Sequence, residues 1–225
     1  MISKALVSIM LSKKTNNILN ANRVELDTLG GNLVSAAKGK LPRSILVTSS
    51  HPKEGRTTTA IAVASALATE FHARVLLVDA DTHTPSIHTS FDSEHSSGLS
   101  ECFDNENSEG ITKSGIDRVD ILTAGKKPSH SSRYFANGNI KHLLEEWAQT
   151  YDHIILDTSS VLTTSTPTLL APHVDGILLV VECERTKNQV LETSQNKLIG
   201  AGGNLLGIML NKRRYYIPKL FYRSM

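Results

Sequence analysis

The feature that most constrains the fold is the stretch Ile45-Leu-Val-Thr-Ser-Ser-His-Pro-Lys-Glu-Gly-Arg-Thr-Thr-Thr-Ala60. Ile45 to Val47 is a short apolar run and reads as a buried strand. A tight loop follows, and the run Thr58-Thr-Ala-Ile-Ala-Val-Ala-Ser-Ala-Leu-Ala68 reads as a helix of small residues, opened by Thr57. Strand, loop and helix in this order frame a phosphate-binding loop, in which backbone N–H groups and a helix N-terminus converge on anionic oxygens. The usual spacing is Gly-x-x-x-x-Gly-Lys-[Ser/Thr]. Gly55 supplies the second glycine and Thr57 the hydroxyl that would face Mg²⁺. The first glycine is missing, and Arg56 stands where the lysine belongs.

Further apolar runs repeat along the chain and alternate with helical patterns. Arg74-Val-Leu-Leu-Val-Asp79 and His153-Ile-Ile-Leu-Asp157 read as strands ending in an acid, and Val119 to Thr123 as a short strand. Gly176 to Val181 and Leu205 to Leu210 are two more strands, the last ended by Asn211. Between them, Ile140 to Gln149 and Thr186 to Gly200 have helical spacing. Residues 22–37 form an earlier amphipathic pattern, weakened at Gly30-Gly31 by about 1 kcal/mol per glycine. Residues 90–117 are polar and read as a surface excursion with a short helix at Gly98 to Phe103. Strands apolar on both faces that alternate with helices predict an α/β fold: a P-loop NTPase-like, mostly parallel sheet covered by helices on both faces. Ligands of such sheets sit at the carboxyl ends of the strands. The polar residues there are the Ser49–Thr58 loop, Asp79, Asp81, Asp157 and Asn211.

Composition removes several function classes. A chain of 225 residues, 40% hydrophobic and 20% charged, suits one domain with a short tail, and a net charge of +2 gives no reason to expect nucleic acid. The two cysteines, Cys102 and Cys183, are far apart and in no metal-ligand spacing, which fits a reducing compartment. His83, His88 and His95 fit no metal site on one helix face and read as a solvated loop. Ser49-Ser50 and Ser159-Ser160 lie outside any nucleophile elbow and read as loop hydroxyls. No apolar run reaches the length of a membrane span, and Met1 to Met10 makes a poor signal peptide, so a cytoplasmic location is expected. The expected organisation is an arm at 1–21, a domain at 22–212 and a basic, tyrosine-bearing tail at 213–225.

Three segments together carry a resemblance. Ser50-His-Pro-Lys-Glu-Gly-Arg-Thr57 resembles the loop Ser-x-x-Pro-Gly-Glu-Gly-Lys-[Ser/Thr]. Val75-Leu-Leu-Val-Asp-Ala-Asp-Thr-His-Thr-Pro-Ser86 resembles the Walker A′ pattern Val-Leu-Leu-Ile-Asp-Ala-Asp-x-Arg-x-Pro-Ser. Asp152-His-Ile-Ile-Leu-Asp-Thr-Ser-Ser160 resembles Asp-Tyr-Ile-Ile-Ile-Asp-Thr-Pro-Pro. These are motifs of the bacterial protein-tyrosine kinases of capsule and exopolysaccharide synthesis, the BY-kinases, which are relatives of MinD/ParA-type ATPases. The resemblance spans about residues 22–212 and includes Val174 to Val181 and Leu206 to Asn211. It implies an ATP- and Mg²⁺-dependent tyrosine kinase. Backbone N–H groups of Glu54, Gly55, Arg56, Thr57 and Thr58 would cradle the phosphates, with Lys53 adding a charge. Thr57 and Asp157 would hold Mg²⁺, with Asp79 assisting at the metal or at the acceptor. Asp81 would be a second acid of the site, Arg56 would replace the lysine, and Asn211 would lie beside adenine.

The family's tyrosine-rich tails make Tyr215, Tyr216 and Tyr222 candidate acceptors; the same tail could instead pack on the body or contact acidic lipid. A membrane adaptor, the polysaccharide co-polymerase, is the implied partner, which would place the chain at the inner face of the membrane. A homo-oligomer is a further partner to consider, but the Glu-x-x-Arg-x-x-Arg motif tied to ring assembly in the family would fall near Val24, Asp27 and Gly30, and its three defining residues are missing, which counts against a ring. Other departures are His83 for arginine, Ser159-Ser160 for two prolines and Thr166 for aspartate. Arginine is no conservative stand-in for lysine at a tight phosphate site. Two alternatives therefore stand beside the kinase: a nucleotide-binding pseudokinase or scaffold of the same system, and a MinD/ParA-like ATPase switch.

Overall fold

The computed structural model describes residues 31–33, 35, 41–93, 97–105, 110–126, 134–135 and 139–212. The arm at 1–21, most of the 22–37 helix, the positions of the ring motif, His95 and the tail tyrosines lie outside the described residues. Of the early helix, Gly31 to Leu33 and Ser35 are helical, and Leu33 is buried in the core.

Among the described residues, seven strands form one sheet in the order β3-β4-β2-β5-β1-β6-β7. They are β1 (Ser44–Ser49), β2 (Val75–Asp79), β3 (Ile111–Lys113), β4 (Val119–Leu122), β5 (His153–Ser160), β6 (Gly176–Glu182) and β7 (Leu205–Asn211). Every pairing is parallel except β3 with β4. The helices whose bounds lie among the described residues are α1 (Arg56–Glu70), α2 (Ile87–Ser90), α3 (Leu99–Asn105), α4 (Asn139–Trp147), α5 (Thr166–Leu170), which runs on into a 3₁₀ turn (Ala171–His173), and α6 (Asn188–Gly200).

The apolar runs have no polar alternation because each strand is buried on both faces. Ile45, Val47, Val75, Leu77, Ile155 and Val180 point to the α1 side, where Ala60, Val63, Ala64 and Leu67 meet them. Leu46, Leu76, Val78, Leu156 and Leu179 point to the other side, against Leu143, Trp147, Leu170 and Leu198 of α4, α5 and α6. The small residues of α1 let that helix lie close on the sheet, which fixes where its N-terminus comes to rest beside β1.

The structure revises several expectations. The 90–117 stretch is no mere surface excursion: Leu99 and Cys102 of α3 are buried, and β3 adds an antiparallel edge strand. Three residues among Ser, Asn and Glu are too few to show a strand pattern, and a Lys113–Asp120 ion pair of 2.9 Å secures them to β4. Helix α6 starts at Asn188 rather than Thr186, because the Thr186 hydroxyl is held by Glu54. Ser49, Ser159 and Ser160 are buried strand residues, not loop hydroxyls. Past Val47 the β1–β5 register slips by one residue: Val47 faces Asp157, but Ser49 faces Ser160. The Thr48 hydroxyl donates to the Ser159 carbonyl at 2.8 Å and the Thr158 hydroxyl to the Val47 carbonyl at 3.1 Å, so side chains replace the broken ladder. Asp157 sits immediately before this bulge; irregularities of this kind re-aim side chains next to sites.

Candidate active site

The loop between β1 and α1 is held from beneath by a side chain that no motif assigns. Glu54 is buried, and its carboxylate reaches Glu182 and Thr186. One oxygen accepts the His51 N–H at 2.8 Å; the other accepts the Glu182 N–H at 3.4 Å and a short bond from the Thr186 hydroxyl. The carboxylate thereby ties the loop to the end of β6. Asn211, at the end of β7, donates from its amide to the Glu54 carbonyl at 2.9 Å. Lys212 donates to the Lys53 carbonyl at 2.5 Å and pairs with Glu182 at 3.1 Å. Gly55 then turns the chain into α1 with φ +99, and a Cβ there would stand 2.0 Å from the Asn211 amide nitrogen. Glycine is required on both counts. Lys53 takes φ +67 without that freedom, a strained conformation for a side chain that is exposed.

Beyond Gly55, the first turn of α1 presents N–H groups without helical partners toward the carboxyl ends of β1, β2 and β5. Thr57 and Ser86 share a hydrogen bond of 2.7 Å between their hydroxyls, so the loop and the segment after β2 touch. Arg56 makes the second contact. Its Nη2 lies 3.1 Å from Asp81 Oδ2, with the arginine side chain 12% exposed and the aspartate 2%. Asp81 is itself fixed: it accepts the His83 and Thr84 N–H groups and the Thr84 hydroxyl at 3.1, 3.0 and 2.9 Å.

Asp79 and Asp157 are register partners on adjacent strands and share the α1 face. They have opposite circumstances. Asp79 accepts the N–H groups of Asp81 at 3.2 Å and of Ser86 and Ile87 at 2.9 Å each, so both oxygens hold the segment that follows β2. Asp157 is 1% exposed, and neither of its oxygens accepts a hydrogen bond from any described residue. The sequence suggested an acid at the end of its strand. The structure places it three residues short of the end of β5, inside the protein.

Burial pushes the Asp157 carboxyl up to about 8, and the Asp79 charge adds to the rise; the Thr57 hydroxyl and the Arg56 guanidinium oppose it. Asp79 is raised to about 7 by burial and the nearby Asp81 charge, against the pull of its backbone donors. Burial and mutual repulsion hold both carboxyls above the usual carboxylate range, and Asp79 has the three backbone donors that favour its charged form.

A buried carboxylate without partners, beside a threonine hydroxyl and a helix N-terminus, fits a divalent cation that carries phosphate oxygens. No group of three His, Cys, Asp or Glu side chains suited to a metal occurs among the described residues. Mg²⁺ is commonly held by one or two protein groups plus phosphates and water, and the Asp157 carboxylate and Thr57 hydroxyl are groups of that kind. Of the residues singled out from sequence, Arg56, Thr57, Asp79, Asp81 and Asp157 come together with the Gly55 loop. Asn211 lies against the loop backbone. Sequence reasoning missed the Glu54 side chain, Thr84, Ser86, Thr186 and Lys212. An acid within a loop otherwise suited to anions was the one available signal for Glu54.

A family model described as an AAA domain matches residues 44–199. The chain belongs to the AAA domain family. Within it, this AAA-domain chain is similar to the tyrosine-protein kinase YwqD of Bacillus subtilis, at 28% identity over 86% of this chain and 82% of the relative. The kinase domain of the Escherichia coli tyrosine kinase ETK superposes with a TM-score of 0.72 at 27% identity, covering 78% of this chain and 70% of the other. The chimerical protein CapA2B2 superposes with a TM-score of 0.78 at 26% identity, covering 84% of each. The resemblance to bacterial tyrosine kinases and the P-loop-type α/β fold expected from sequence both hold. No helix among the described residues is long and apolar enough to cross a membrane.

Proposed function

We propose that this AAA-domain protein is an ATP- and Mg²⁺-dependent protein-tyrosine kinase of capsule or exopolysaccharide synthesis. The observation that carries the reading is the buried Asp157 carboxylate, without a hydrogen-bond partner among the described residues, beside Thr57 and the N-terminus of α1. The kinase names of its relatives support this reading over the ATPase-switch alternative.

In this reading the N–H groups of Gly55 to Thr58 bind phosphate oxygens, and Asp157 and the Thr57 hydroxyl hold the cation. When bound, Mg²⁺ neutralises charge that builds up on the transferred phosphoryl group. Asp79 keeps the segment after β2 in place through its three N–H donors. Arg56 supplies the positive charge that lysine supplies elsewhere, and the Glu54 brace keeps the N–H groups aimed. Asn211 closes the loop next to the base. The acceptors are Tyr215, Tyr216 or Tyr222, and an adaptor at the inner face of the membrane raises the rate. Residues 22–212 form the catalytic unit, between the 1–21 arm and the 213–225 tail.

Calorimetric titration of the full chain tests the binding half of this proposal. Mg²⁺–ATP should bind with a Kd from micromolar to about a millimolar, near ordinary enzyme values. Arg56→Lys should tighten it, because a compact ammonium suits the loop better than a planar fork. Absence of heat with both chains, at ATP concentrations well above a millimolar, would overturn it.

A further inference from the structure

Arg56 is not idle in the nucleotide-free protein. Its guanidinium is already paired with a carboxylate that is almost wholly buried, held by three further donors, and placed on the segment facing the loop. One Asp81 oxygen meets the guanidinium, as a phosphate oxygen would, while the other is held by the His83 and Thr84 N–H groups. Arg56 donates to no other described residue, so Asp81 is its one anionic partner in hydrogen-bond contact. Asp81 thus sits where it competes for the cation on which the phosphates must draw.

We infer that Asp81 is an internal competitor for Arg56: its carboxylate occupies the guanidinium, and nucleotide binds by displacing it. This rests on the reading of the site as a nucleotide site and changes the role of one residue within it. Asp81 acts through Arg56 as a positioning residue and sets the affinity of the loop for phosphate. The second acid of the motif is then no group that touches the reacting atoms. Two contacts join the loop to the segment after β2, Arg56 with Asp81 and Thr57 with Ser86. Entry of phosphate would exchange the first for a phosphate contact, and Asp79 would still anchor the segment through its backbone donors.

The sign of one measurement decides the matter, because damage to a site weakens binding and loss of a competitor tightens it. The full chain is titrated with ADP in EDTA and again with Mg²⁺. Asp81→Asn keeps the side-chain shape and an acceptor for the His83 and Thr84 N–H groups. It should bind ADP in EDTA roughly tenfold tighter than the native chain, the equivalent of about 1.4 kcal/mol. Asp81→Glu, which keeps the charge, should show no such gain. In an Arg56→Met background the effect of Asp81→Asn should vanish. Should Asp81→Asn not fold, Thr84→Val carries the test with the opposite sign: relieved of its second side-chain donor, Asp81 holds Arg56 harder, and ADP binding weakens only while Arg56 is present. Unchanged or weaker ADP binding by folded Asp81→Asn overturns the inference and returns Asp81 to the acids that serve the metal. If neither the native chain nor Asp81→Asn binds ADP with or without Mg²⁺, the nucleotide reading fails and the inference with it.

Discussion

Asp157→Asn should make the metal-free protein more stable while abolishing its response to Mg²⁺. Few substitutions at a buried polar position stabilise. This one should, because the native carboxylate has no hydrogen-bond partner among the described residues and lies beside another acid. An unpartnered buried polar group costs about 1–3 kcal/mol, more if charged, and asparagine removes the charge at nearly constant shape. The pH dependence follows from the direction of the shift. The folded carboxyl is raised from its ordinary 3.8 to about 8, so between these values the unfolded chain holds fewer protons than the native one. Stability therefore falls as pH rises through that window; the penalty is absent below it and complete above it. In urea unfolding with EDTA, the native chain should lose stability as pH rises from about 4 to about 8, and Asp157→Asn should lose much less. At alkaline pH the variant should be more stable by roughly 1–2 kcal/mol. Added to the ADP-bound protein, Mg²⁺ should raise the thermal midpoint of the native chain by several degrees and leave that of Asp157→Asn where it was. A variant less stable than native at alkaline pH, or one that keeps the full Mg²⁺ response, would remove Asp157 from the metal.

Glu54→Ala should have the largest opposite effect. The alanine leaves the His51 and Glu182 N–H groups and the Thr186 hydroxyl without their acceptor, in a place 2% exposed. Partial entry of water moderates the cost, which should be about 2–4 kcal/mol. Nucleotide binding should be lost at temperatures where the variant is still folded, because the N–H groups of the loop are no longer held against β6. Glu54→Gln keeps one acceptor and should lose less than half as much stability. Thermal unfolding and calorimetry on the two variants check both parts. Alanine at this position with native stability and native ADP affinity would show that the brace is incidental.

The contrast between these two acids marks what the sequence could tell. Asp79 and Asp157 end apolar runs, and a period of two along β2 and β5 was enough to place them on one face once the strands were adjacent. Parallel topology was legible for the same reason: strands covered on both faces lose their polar alternation. The site's hydrogen bonds were not legible, since they depend on which elements meet. Nothing in Asp-Ala-Asp says that the first acid takes three backbone donors while the second takes Arg56. Nothing in the run His153 to Ser160 says that the strand continues past Asp157 through a bulge and buries it, because Thr-Ser-Ser is a typical loop composition. The brace from Glu54 to Thr186 joins residues 132 apart in the chain, beyond the reach of any local pattern. Short elements also went unseen: β3 and α2, of three and four residues, are below the length at which periodicity separates strand, helix and turn.

Mass-spectrometric mapping of phosphate on the full chain tests the kinase assignment most directly. After incubation with Mg²⁺–ATP, with and without a peptide from the cytoplasmic end of the adaptor, phosphate should be found on Tyr215, Tyr216 or Tyr222. It should accumulate slowly in the native chain, faster with Arg56→Lys and with the peptide, and not at all with Asp157→Asn. Phosphoryl transfer rests on positioning and charge neutralisation, so these changes should alter rate without altering which tyrosines are modified. No phosphate on any tyrosine under all of these conditions, from a protein that binds Mg²⁺–ATP, would contradict the kinase and leave a nucleotide-binding scaffold in its place.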